Sequence, residues 1–132
     1  MGRRRRILRA RGAARFSGMP LNHELINLGA RLKTASRTAP LYRLYALPDG
    51  RRPGLVRMPE GGAAIAVEVW EVPSKALGGF IARIAPPLGV GTIALDGGVG
   101  VLGFLCESYA AQGSLDITQY GGWRTFKASV AD

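Results

Sequence analysis

The chain holds one histidine, His23, and one cysteine, Cys106. An imidazole with an ordinary pKa near 6.5 exchanges protons at working pH, so His23 is the first candidate for acid–base chemistry. The plainer reading is a polar residue on the exposed side of a helix. One histidine and one cysteine do not make the ligand clusters of a zinc site, and no metal centre is expected. A Gly-rich phosphate loop ending in Lys-Ser/Thr is missing, as is a dinucleotide fingerprint between a strand and a helix. No serine triad is in evidence. Ser17-Gly18 stands before a helix N-terminus, where backbone N–H groups and the dipole favour an anion; Ser17 as a simple helix cap fits equally. Tyr120 with Gly121-Gly122 marks a close backbone approach, to a ligand or to a neighbouring strand.

These residues need elements to hold them. Pro20 and Gly29 bracket a short helix, about 20–28, with Leu21, Leu25 and Leu28 on one stripe. Two strand candidates follow, 31–38 and 42–47, and the turn Pro48-Asp49-Gly50 leads to another at 53–58. The longest strand signal runs from Ala63 to Val72, with Ile65, Val67 and Val69 on one face and Ala66, Glu68 and Trp70 on the other. Glu68 is expected to be exposed or paired and is given no chemistry. Leu77, Phe80, Ile81 and Ile84 form a helical stripe that Pro86-Pro87 ends. Asp96-Gly97-Gly98 joins strands at 90–95 and 99–106 as a hairpin. A last short helix is expected around Trp123. The fold class is therefore α+β: a small mixed, largely antiparallel, barrel-like sheet with two or three peripheral helices.

At 132 residues, 47% of them hydrophobic, the chain fits a single domain with its own core. The net charge of +9 is uneven. Arg3, Arg4, Arg5, Arg6, Arg9, Arg11 and Arg15 supply seven charges, and the remainder is near +2. Residues 1–15 read as a solvated, disordered basic arm, and 16–132 as the folded domain. No aromatic residue is interleaved before Phe16, so a nucleic-acid role for the arm is disfavoured. A lone cysteine, no apolar run of spanning length and no secretory signal together predict a cytoplasmic protein.

Five segments together resemble the C-terminal domain of allophanate hydrolases. They are Ser17-Gly18-Met19-Pro20-Leu21-Asn22-His23, Arg37-Thr38-Ala39-Pro40-Leu41-Tyr42-Arg43-Leu44-Tyr45, Pro86-Pro87-Leu88-Gly89-Val90-Gly91-Thr92, Gly103-Phe104-Leu105-Cys106-Glu107 and Asp116-Ile117-Thr118-Gln119-Tyr120-Gly121-Gly122-Trp123-Arg124. They follow the family's order over about residues 16–126. The resemblance implies a γ-glutamylcyclotransferase-like fold and a role beside an amidase, in which N-carboxycarbamate made from allophanate is decarboxylated to carbamate. No cofactor is expected. His23 would then be the general acid. Ser17, Gly18, Asn22, Arg37, Tyr42, Arg43, Tyr120, Gly121 and Arg124 would bind the substrate, a small dicarboxylate for which arginine offers bidentate contacts. A solvated surface position is the bland alternative for each arginine.

The partners on this reading are that substrate and a separate amidase, with homo-oligomerisation open and no membrane. A non-catalytic module binding an amidase or a small carboxylate is the rival. The sequence departs from the family before Ser17, where Ala13-Ala14-Arg15-Phe16 replaces a Gly-Ala-His-Leu segment and arginines interrupt an apolar strand. The acidic stretch that carries the general base of cyclotransferases is replaced by Ile84-Ala85-Pro86-Pro87, which disfavours that activity.

Overall fold

Two antiparallel hairpins organise the polypeptide, and both are set by short-range turn chemistry. In the first, β3 (Tyr42–Ala46) pairs with β4 (Pro53–Arg57). The Asp49 carboxylate caps the connection by accepting the N–H groups of Arg51 at 2.8 Å and Arg52 at 3.1 Å. In the second, β6 (Leu88–Ala94) pairs with β7 (Gly100–Cys106). Gly97 and Gly98 take φ of 93° and 92°, a region closed to most side chains, which is why the hairpin needs them. The computed structural model describes residues 29–130 in full and 4–10 for their backbone path and pairing. The helix expected over 20–28 lies outside the described residues.

The strands form two sheets. The larger has the order β2-β5-β1-β7-β6, where β1 is Arg4–Ala10, β2 Arg31–Arg37 and β5 Ala66–Pro73. The smaller is β4-β3-β8, with β8 at Leu115–Asp116. All pairs are antiparallel except β1 with β7. The sheet does not close into a barrel. Its outer strands meet only at their ends, through the isolated bridge between Thr38 and Leu95. A second bridge ties Tyr42 of the smaller sheet to Ala63, on the segment that leads into β5.

The basic arm expected over 1–15 is corrected for Arg4–Ala10, which form the middle strand of the larger sheet. The ladder runs from Arg4 opposite Pro73 to Ala10 opposite Val67 on β5, and Ile7 and Leu8 pair with Leu102 and Gly103 on β7. Sheet hydrogen bonds belong to the backbone, so a run of arginines does not forbid them.

The two faces of β5 separate as the alternation predicts. Val67 and Val69 join Tyr42, Leu44, Ile93, Ile117, Trp123 and Phe126 in the main core. Trp70 and Val72 pack on Phe80 of α1 (Ser74–Ala82), with Leu77 and Phe104 beside them. Helix α2 (Ser108–Ala111), a 3-10 turn (Thr118–Tyr120) and α3 (Trp123–Val130) complete the described chain. No described helix is long and apolar enough to cross a membrane.

Candidate functional site

The candidate site lies at the end of the larger sheet where β5 begins. Ala66 stands opposite Arg37, the last residue of β2, and β1 ends at Ala10 opposite Val67. The 3-10 turn closes on Gly121, whose φ of 77° reverses the chain so that α3 can start. Gly121 donates its N–H to the Thr118 carbonyl at 2.9 Å and accepts the Ala66 N–H at 2.8 Å. A side chain at Gly122 would come within 3.2 Å of the Ala66 methyl. The close approach read from Gly121-Gly122 is therefore to the strand.

A cavity of about 280 Å³ opens beside this contact, lined among the described residues by Ala66, Gly122, Arg124 and Thr125. Arg124 is half-buried on the first turn of α3. Arg37 is exposed and donates from Nη2 to the Ala64 carbonyl at 3.2 Å. Among the described residues the ion pairs join Arg31 and Lys33 to Glu71, Arg43 to Asp116, and Arg52 to Asp49. Neither Arg37 nor Arg124 is in that set, so both can offer N–H donors to an anion.

The other expected site residues are placed differently. Tyr42 is fully buried, and its hydroxyl accepts the Ala94 N–H at 2.9 Å. Arg43 donates from Nε to Asp116 Oδ2 at 2.7 Å and from Nη1 to the Gly61 carbonyl at 2.7 Å. The hydrogen bond to Asp116, working against desolvation, raises the Arg43 guanidinium above its ordinary value. Burial pushes the Asp116 carboxyl up, but hydrogen bonds from Thr118 and Arg43 outweigh it and hold the group below the usual range. Tyr120 stacks edge-on against Phe126 with ring centroids 5.3 Å apart and leans on the core. Thus Arg37 and Gly121 both adjoin Ala66, beside which Arg124 lines the cavity, while Tyr42 and Arg43 make the hydrogen bonds just described. Ser17, Gly18, Asn22 and His23 lie outside the described residues.

Ala66 and Thr125 are lining residues that the sequence did not single out. Thr125 adjoins Arg124 and was open to that inference; Ala66 carries no chemical signal and is found only through strand register. Glu68, two residues along the same face, is 3% exposed and accepts the Trp70 Nε1–H at 3.3 Å.

Comparison with known proteins bears on this arrangement. Residues 10–128 match the family model of the allophanate hydrolase C-terminal domain. The urea amidolyase of Saccharomyces cerevisiae is 37% identical over 119 residues, covering 86% of this chain and 6% of that protein. The allophanate hydrolase of Kluyveromyces lactis superposes with a TM-score of 0.84 at 34% identity, covering 99% of this chain and 22% of that one. A uropathogenic E. coli-specific protein, 29% identical with a TM-score of 0.84, is matched over 97% of this chain and 98% of its own. An AIG2-like protein of Mus musculus, 17% identical with a TM-score of 0.63, shares the fold alone, which is γ-glutamylcyclotransferase-like. The chain spans only a small part of the urea amidolyase and allophanate hydrolase that it matches.

Proposed function

Because the chain belongs to the allophanate hydrolase C-terminal domain family, we propose that it decarboxylates N-carboxycarbamate to carbamate after a separate amidase has deaminated allophanate. Its relationship to urea and allophanate degradation is carried by that family and by its urea amidolyase relatives. The observation that supports the chemistry is the cavity beside Ala66, which holds Arg124 next to the strand position of Arg37, with neither guanidinium committed to a carboxylate among the described residues. Two guanidinium groups at one sheet end suit a small dianion.

In the step itself one C–N bond of the substrate breaks and carbon dioxide leaves. The electron pair stays on the nitrogen, which takes a proton from His23, and carbamate is the product. Arg37 and Arg124 hold the carboxylate that remains, and Ser17, Gly18, Asn22 and the Gly121 backbone are the further substrate-binding groups of this reading.

Carbon-13 NMR of labelled allophanate, deaminated by a separate amidase with and without this protein, tests the reading. The N-carboxycarbamate signal should decay faster with the protein present. His23→Ala should remove the acceleration, and Arg124→Gln should weaken it by roughly tenfold or more, the scale of one lost charged hydrogen bond. An unchanged decay, with a small dicarboxylate still bound by the wild type and not by Arg124→Gln, would replace catalysis with a binding role.

A further inference from the structure

We propose that β6 is a self-complementary edge through which two copies of this chain join their larger sheets into one. The two edges of that sheet differ. Strand β2 presents Arg31, Lys33 and Arg37, the charges with which proteins usually discourage edge-to-edge pairing. Strand β6, Leu-Gly-Val-Gly-Thr-Ile-Ala, has no charged residue and no proline, and among the described residues no strand lies beyond it.

The outward backbone groups follow from the register. Leu95 donates its N–H inward to the Val99 carbonyl at 2.7 Å, while Ala94 faces away, donating to the Tyr42 hydroxyl and accepting the Ala39 N–H, each at 2.9 Å. Antiparallel ladders alternate in this respect, and the β6–β7 register has no break. Thr92 and Val90 therefore point their N–H and C=O groups outward as well. Pro86-Pro87 and the Ala94 contacts limit the open stretch to this middle part of the strand.

A second copy fits that stretch better than an arbitrary strand. With a two-fold axis through Gly91, Val90 of one copy faces Thr92 of the other, and each pair exchanges both backbone hydrogen bonds. Val90 and Leu102, each 36% exposed, lie on the same sheet face, so the join would continue that apolar face from one copy to the other. The chain carries +9, so a join along the one uncharged edge avoids the repulsion that pairing along β2 would meet.

Sedimentation velocity on the full chain tests this, using two variants changed at the same two positions. The wild type should sediment at twice the monomer mass. Val90→Lys with Thr92→Lys places like charges opposite each other and should halve that mass. Val90→Lys with Thr92→Asp places Lys opposite Asp twice and should restore it. Circular dichroism should show both variants folded. A monomeric wild type at the highest attainable concentration would overturn the proposal. So would a dimer indifferent to the Lys pair, or a Lys/Asp variant that stays monomeric while folded.

Discussion

Thr118 shows how much one hydroxyl can hold. Its Oγ1 accepts the Leu44 N–H at 2.9 Å and reaches back to the Leu44 carbonyl at 3.4 Å, in a place only 7% exposed. Thr118→Val keeps the shape and orphans a buried N–H, so a loss of about 1–3 kcal/mol is expected, read as a lower denaturant midpoint. Next to it, Asp116 makes stability depend on pH. Its folded pKa is lowered, so the stability it contributes is present above the ordinary carboxylate value of about 3.9 and is lost as pH falls through the lowered folded value. Melting curves of wild type and Asp116→Asn should therefore differ near neutrality and converge in acid. A constant difference across that range would remove Asp116 from the account. Arg43, its partner, is held by the same bond.

At the scale of elements, the strand β1 invites the sharpest trial. Deleting residues 1–10 should abolish cooperative unfolding, because the middle of the larger sheet would lose its strand and part β5 from β7. A solvated arm, by contrast, could be removed without effect on the melting curve. The alternation along β5 and the Gly97-Gly98 turn were legible in the sequence because period and positive φ are local properties. Strand β1 was not, since arginines signal solvent while a ladder is made by the backbone, and its partners lie far along the chain. The neighbourhood of Arg37 and Arg124 was equally hidden. Each stood out through the motifs of the resembled family, but only the pairing of Arg37 with Ala66, and the packing of Gly122 on Ala66, bring their chain segments to one end.

The whole molecule places its two tryptophans on opposite faces of one strand. Trp123 is fully buried in the main core, and Trp70 sits with Phe80 under α1. Since β5 backs both clusters, Trp70→Phe and Trp123→Phe should report the same unfolding transition from opposite sides. Each fluorescence curve should then coincide with circular dichroism of its own variant. A separate early transition for Trp70 would mean that α1 and its cluster open on their own.

The central place of β1 also bears on synthesis. The segment that becomes the middle strand is synthesised before both of its neighbours, which end at Pro73 and Cys106. At roughly 5–20 residues per second, the nascent strand waits for seconds with its backbone unpaired. An apolar strand in that position would invite aggregation, whereas a stretch beginning Arg4-Arg5-Arg6 stays hydrated until β5 and β7 arrive. The arginine run can thus be understood as a solubility tag for translation, built into the strand that the finished sheet closes around.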